Sequence, residues 1–310
     1  MNKFHNLIIF LITLLLFYYL FSRSDISSVI NQLSDVPLNL VIISLVLSFQ
    51  MPFIQTLRLK IIFKSVNLDL SFKKLFLIIA GSYPFVAITP SRSGDFVRSY
   101  YLRKEINLSE SAGSVISERI FDIISLLMLS SISLLTLESF NYIYLALIFS
   151  FTILFITFLS IFKPKIPLSV NFNSIFYNLL NSYSQLLQNR VLFSKVLFLS
   201  MVQWSLALFQ TYVFFLMIKI DVSLLQTFAL APLAIFLGQL PLTLGGMGTR
   251  DLAFINLFSE YATESALLSV GILFSIFRYW LISLLGIPFM LRLINNYGSF
   301  SSESKKEDTN

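Results

Sequence analysis

The sequence predicts an all-α integral membrane protein of about eight apolar segments, six of them full spans and two of them re-entrant helical hairpins arranged as an inverted repeat. Composition, the lengths of the apolar runs and the sidedness of the basic residues carry this expectation. Hydrophobic residues make up 56% of the chain and charged residues 12%, whereas soluble domains hold about 45–50% and about 25%. With a mean hydropathy of +0.81, the chain lacks the polar surface that water demands. The expected plan is one transmembrane unit over 1–297 and a polar, Ser-rich tail over 298–310, disordered and cytoplasmic.

A spanning helix needs about 20 mostly apolar residues. The run 7–21 follows Lys3 and has no small-residue cleavage site after it, so it reads as a retained anchor. Runs 38–57, 142–162, 196–218 and 266–291 qualify directly; 120–137 is apolar apart from Asp122 and extends back to about Ser109. Two runs differ. Segment 75–90 has only 16 residues and contains Gly81, Pro84 and Pro90. Segment 224–241 contains Pro232, Gly238 and Pro241 and leads into Gly245-Gly246-Met247-Gly248. Each is either a kinked ordinary span or one of the short, interrupted segments that mark transporter sites.

The basic residues decide between these, because cytoplasmic loops carry an excess of Lys and Arg. If both odd segments dip and return, and both termini are cytoplasmic, 17 basic residues lie inside and Arg23, Lys219 and Arg250 outside. Arg58 and Arg98 belong to the inside count, and Arg119 and Arg278 sit in or beside spans. Full crossing would move eight basic residues to the outer face. Re-entrance makes 38–137 and 196–291 two units of opposite orientation, which is an inverted repeat. The expected location is the cytoplasmic (inner) membrane. The loop 163–195 carries apolar residues at helical spacing and reads as either an interfacial helix or a cap on the bundle.

Several chemistries are excluded. No cysteine is present and His5 is the one histidine, which removes thiolate chemistry, the usual zinc sites and a Ser-His-Asp triad. No Gly-x-x-x-x-Gly-Lys-Ser/Thr run binds ATP. The net charge of +6 resides in loops that flank apolar spans, so it points to membrane topology and not to nucleic acid. No cofactor and no catalytic residues are expected.

Charge inside apolar sequence is the informative feature. Counted from Ala266, Arg278 has 12 uncharged residues before it, and 13 follow it up to Leu291. An arginine at mid-span costs about 2.5–3.5 kcal/mol on insertion scales, so it needs a polar partner; Asp122 and Asp251 are the candidates. Glu118 and Asp122 share a helical face beside Arg119. In the hairpins, Ser93-Gly94-Asp95 precedes Arg98, and Gly248-Thr249-Arg250-Asp251 reads as a helix start capped by Thr249. A helix start suits an anion and guanidinium forks match phosphate oxygens, so Arg92, Arg98 and Arg250 make each hairpin a candidate phosphate clamp. Otherwise the glycines only permit tight turns and the Arg/Asp pairs neutralise each other.

The order of motifs resembles the flippase-like membrane region of lysylphosphatidylglycerol synthases over roughly 38–291. The matching residues are Pro90-Ser91-Arg92-Ser93-Gly94-Asp95 with Arg98, then Glu118-Arg119 with Asp122, then Pro241 through Gly245, Gly246, Gly248, Arg250 and Asp251, and finally Arg278. Asp95 and Asp251 stand where glutamate is more usual in that family. The soluble aminoacyl-transferase domain is missing, so that activity does not carry over. The resemblance implies translocation of an anionic phospholipid, an aminoacyl-lipid or a polyprenyl-linked glycolipid. Arg92, Arg98, Arg119, Arg250 and Arg278 would hold the phosphate headgroup, with Asp95, Glu118, Asp122 and Asp251 as charge partners. A separate lipid-modifying enzyme or glycosyltransferase is an implied partner. Two alternatives stay open: a proton- or ion-coupled transporter of a small anion, and a non-catalytic membrane subunit of a lipid-modifying enzyme.

Overall fold

The computed structural model describes residues 3–89, 93–134, 183–240 and 242–297. Every regular element named among them is helical. In chain order these are α1 (Lys3–Arg23), α2 (Ile26–Ser34), α3 (Leu38–Ser65), α4 (Phe72–Ile88), α5 (Val97–Leu102), α6 (Leu108–Leu134), α7 (Arg190–Met217), α8 (Leu224–Gly238), α9 (Thr249–Leu257), α10 (Glu264–Ser275) and α11 (Leu281–Tyr297). A 3-10 turn, Ser93–Phe96, precedes α5, and a π-helical turn, Ile276–Trp280, joins α10 to α11. The expected span 142–162, most of the loop 163–195, the tail 298–310, and Pro90, Arg92 and Pro241 lie outside the described residues.

The burial pattern of α3 is that of a helix in lipid. Leu38, Ile42, Val46, Phe49, Phe53 and Leu57 are all exposed, and their three- and four-residue spacing puts them on one face. The opposite face buries Ser44, Ser48, Gln55 and Arg58. Apolar residues outside and polar residues inside reverse the arrangement of a soluble helix.

Among the described residues, Leu38–Ser65, Arg190–Met217 and Glu264–Asn296 are long and apolar enough to cross a membrane. The α1–α2 pair, bent by 89°, makes a fourth if it forms one span. Six were expected. The segment 142–162 is not described, and α6 carries Glu110, Glu118, Arg119 and Asp122, so hydropathy does not mark it. The bend before α2 was also not anticipated. Asp25 makes it by capping α2, its carboxylate accepting the Ser27 N–H and hydroxyl. The α2 helix then docks on α10, where Asp25 N–H donates to Ser265 Oγ at 2.9 Å and Ser269 Oγ to Gln32 Oε1 at 2.9 Å.

Each odd segment forms a helix, a break and a second helix. Thr89 ends α4: its hydroxyl donates to the Phe85 carbonyl and accepts the Gly94 N–H, each at 2.7 Å. A side chain at Gly94 would overlap the Phe85 carbonyl, so glycine lets the chain double back this closely. Lys74, near the start of α4, forms an ion pair with Glu105 beyond α5, so the chain returns to the end it left. In the second unit, Gly245, Gly246 and Gly248 have φ of +57°, +73° and +92°, conformations that L side chains rarely adopt. Gly248, not Thr249, is the cap of α9; its N–H donates to Asp251 Oδ2 at 2.9 Å, and Thr249 is the first helical residue. Beyond α9, Phe258 lies 4.7 Å from Phe215 near the end of α7, measured between ring centroids.

The two breaks meet. Gly245 N–H donates to the Thr89 carbonyl at 3.3 Å. Around them the halves interlock: α3 packs along α7, α4 along α11, and α6 along α8, where Ser130 donates to the Ala229 carbonyl at 2.7 Å. The α5 helix leans on α6, and α9 on α10. The first helix of each hairpin, α4 or α8, is therefore held chiefly by the last helix of the other half, and the second, α5 or α9, by its own half. Residues 183–188 are helical, and Tyr183 packs edge-on against Phe121 of α6.

Candidate functional site

Six charged side chains from four elements form one continuous network in the first half. Arg58 on α3 donates to Asp122 Oδ1 at 2.7 Å, to Gln203 Oε1 at 3.1 Å and to the Glu118 carbonyl at 3.0 Å. Asp122 Oδ1 also accepts Trp204 Nε1 at 2.9 Å, and its Oδ2 lies 3.0 Å from Arg119 Nη1. Arg119 Nη2 reaches Asp95 Oδ2 at 2.8 Å. Asp95 Oδ1 pairs with Arg98, which in turn donates to Glu118 Oε2 at 2.7 Å and to Ser82 Oγ at 3.2 Å.

Burial makes these contacts obligatory. Arg58, Asp95, Arg98, Glu118 and Asp122 are each no more than 1% exposed. An uncompensated ion in such a place costs several kcal/mol. Three guanidinium groups face three carboxylates, so the network is neutral when all are ionised. The Arg119 side chain keeps 20% exposure, the most of the six, although its Nε and Nη1 are buried.

The second half holds a smaller arrangement. Arg250 binds its neighbour Asp251 through Nε and Nη2 at 3.0 and 2.6 Å. The same Nη2 donates to the Gly271 carbonyl at 3.1 Å and to Ser275 Oγ at 2.7 Å. The Phe274 ring lies 4.4 Å from the guanidinium, a cation–π distance. A side chain at Gly271 would come within 2.6 Å of Asp251 Oδ1, so glycine leaves room for the carboxylate.

Arg278 sits in the π-helical turn, where one extra residue per turn re-aims side chains. Its Nη1 donates to Gln210 Oε1 at 3.1 Å, and Nη2 approaches Met51 Sδ at 3.9 Å. Gln210 is itself anchored on α3, donating to the Ser44 carbonyl and to Ser48 Oγ. Trp204 connects the two regions: its N–H holds Asp122 and its ring lies 5.9 Å from the Arg278 guanidinium. A cavity of about 10 Å³ adjoins Arg278, Gln239 and Tyr279, room for about one water. Tyr279 is also within electrostatic range of Arg119.

A cleft of about 390 Å³ opens beside the meeting breaks. Phe10 and Leu14 of α1, Ile88 and Leu244 of the breaks, and Ile276 and Trp280 line it, with Asp251 and Ser275 also in its wall. Its surface is mainly apolar, yet it borders the Arg250–Asp251 pair.

The structure thus brings Arg98, Arg119, Asp95, Glu118 and Asp122 together and pairs Arg250 with Asp251, while Arg92 is outside the described residues. Gly94, Gly245, Gly246 and Gly248 do make the tight turns. Asp122 and Asp251, the candidate partners of Arg278, are engaged with Arg58 and Arg119 and with Arg250. Arg58 and Arg98, counted from sequence among loop charges, are buried, as is Arg250. Arg58 was missed as a site residue, together with Gln203, Trp204 and Gln210. The signal lay in the apolar triplet Ile61-Ile62-Phe63 after Arg58, which carries α3 on to Ser65.

The sequence model of the lysylphosphatidylglycerol synthase TM region matches residues 6–286. Comparison with individual curated proteins gives no match.

Proposed function

The chain belongs to the lysylphosphatidylglycerol synthase TM region family, a multi-pass membrane protein family with a lipid-related role, and from that premise we propose that it translocates a lipid with an anionic headgroup across the cytoplasmic membrane. The observation that carries this reading is the meeting of the two helix breaks, Gly245 N–H to the Thr89 carbonyl at 3.3 Å, beside both buried arginine clusters and an apolar cleft of about 390 Å³. A headgroup needs cations and donors; its tails need an apolar groove. The cleft borders the Arg250–Asp251 pair, with Asp251 itself in the wall, and this juxtaposition favours an amphiphile over a small soluble anion.

The reciprocal packing of α4 on α11 and α6 on α8 supports the inverted repeat. The Lys74–Glu105 ion pair supports re-entrance of the first hairpin, because it joins the two ends of the unit. With Arg58 and Arg98 buried, the sidedness argument rests on the remaining loop charges, including Arg103, Lys104, Arg190 and Lys195, and still favours cytoplasmic termini. In this reading Arg119 and Arg278 meet the headgroup, and the acids hold the arginines in register. The chain carries out no covalent chemistry.

Purified protein in vesicles containing headgroup-labelled phosphatidylglycerol, with an impermeant quencher outside, tests the proposal. The protein exposes label from the inner leaflet at a rate well above that of protein-free vesicles, and Arg278→Gln abolishes this while still inserting. A wild-type rate equal to the protein-free rate contradicts the reading. If the same vesicles release inorganic phosphate without moving lipid, the small-anion alternative replaces it.

A further inference from the structure

The six carboxylate oxygens of the first-half network are not equivalent. Asp95 Oδ1 and Oδ2 meet Arg98 and Arg119. Asp122 Oδ1 meets Arg58 and Trp204, and Oδ2 meets Arg119. Glu118 Oε2 accepts from Arg98, but Glu118 Oε1 is buried with no hydrogen-bond partner among the described residues. Leaving a charged oxygen unsolvated is costly, and a carboxylate removes that cost by binding a proton there.

From this geometry we propose that Glu118 is a proton-binding site that couples headgroup movement to proton movement. The proposal rests on the translocase reading for its transport role, not for the proton site itself. The step balances simply: the Glu118 carboxylate takes one proton at Oε1 and becomes a neutral carboxylic acid. The network then passes from three positive and three negative charges to a net charge of +1. Arg98, no longer facing a charged Glu118, draws more strongly on Asp95. Asp95 is shared between Arg98 and Arg119, so its hold on Arg119 weakens. Arg119 is the most exposed side chain of the network, although its Nε and Nη1 are buried, and once loosened it becomes available to one negative headgroup charge. One proton and one anionic charge then move together without net charge.

Among the described residues the charged and titratable groups around Glu118 are Arg58, Arg98, Arg119, Asp95 and Asp122, and of the three carboxylates only Glu118 has a buried oxygen without a hydrogen-bond partner. Arg98 faces Glu118 from α5, Arg58 reaches its carbonyl from α3, Asp95 lies on the 3-10 turn, and Arg119 and Asp122 flank it on α6. From α4 the network receives Ser82, and from α7 Gln203 and Trp204. The α8 helix, packed along α6, has no titratable residue in its sequence.

Two measurements test this. Infrared difference spectra of the reconstituted protein, taken as pH is lowered, should show a protonated-carboxyl band that disappears in Glu118→Gln and persists, displaced, in Glu118→Asp. In the labelled-lipid vesicles, an imposed pH gradient should change the wild-type rate several-fold, and in Glu118→Gln the rates with and without the gradient should coincide. A band present without lipid movement keeps the proton site and overturns the translocase reading. Lipid movement in wild type that ignores the gradient overturns the coupling and leaves translocation standing. A wild-type protein with no titrating carboxyl band, or a band that survives in a folded Glu118→Gln, overturns the proposal whatever is transported.

Discussion

In the first half, the acid after the helix break, Asp95, binds arginines from two other elements, Arg98 on α5 and Arg119 on α6. In the second half its counterpart, Asp251, binds the adjacent Arg250 and the Gly248 N–H of its own helix start. A glycine, an acid and an arginine, in the order Gly94-Asp95-Arg98 in one half and Gly248-Arg250-Asp251 in the other, are built once as a long-range network and once as a local clamp. The consequence is mechanical as well as electrostatic. Asp95 ties the break to α5 and α6, whereas Asp251 pairs with its neighbour Arg250, which in turn ties α9 to α10 through Gly271 and Ser275. The first break is thus tied into the proposed proton site, while the second adjoins the apolar cleft, since Asp251 and Ser275 stand in the cleft wall.

The largest effect that would break this contrast is at Asp122. Asp122→Asn leaves Arg58 and Arg119 without a shared carboxylate in a buried place and should cost about 3–5 kcal/mol, as removal of one partner of a buried pair does. The unfolding midpoint in detergent reads this. The double variant Arg58→Met with Asp122→Leu should recover much of the loss, because it removes both charges. If Asp122→Asn is neutral in a folded protein, the network is not continuous.

A smaller loss is expected at the local clamp. Arg250→Gln removes the pair with Asp251 but leaves Asp251 its bond from Gly248 N–H, so the cost should be nearer 1.5–3 kcal/mol, the range for hydrogen bonds to charged groups. Equal destabilisation by Arg250→Gln and Asp122→Asn would erase the distinction between network and clamp. The smallest effect lies at the periphery. Arg23 and Glu264 pair at 3.1 Å, but both side chains are well exposed, and water screens such pairs. Arg23→Ala should leave the unfolding midpoint unchanged within error.

Hydropathy located α1, α3, α7 and the α10–α11 stretch because a lipid-facing helix must be apolar over its whole length. The turning points were legible for a different reason: Gly94, Gly245, Gly246 and Gly248 interrupt apolar sequence, which only a tight turn explains. Arg58 was hidden because it stands at the end of the apolar run 38–57, and charge at the end of a run reads as loop. Partner choice was hidden as well. Asp122 is 64 residues from Arg58 in sequence, and nothing local says that it turns towards α3 and α7. The α2 bend depends on a single cap at Asp25, a signal too short to stand out beside a strong apolar run.

The opposed entry of the two hairpins is the central claim, and the absence of cysteine allows a direct measurement. Single cysteines would replace Lys73 and Lys104 at the ends of the first unit, and Ser223 and Ser259 at the ends of the second, all of them exposed. Each would be labelled with an impermeant thiol reagent from either side of the membrane. The account predicts that Lys73→Cys and Lys104→Cys react from the cytoplasmic side alone, and Ser223→Cys and Ser259→Cys from the outer side alone. Reaction of the two ends of either unit from opposite faces would make that unit a crossing helix and contradict the account.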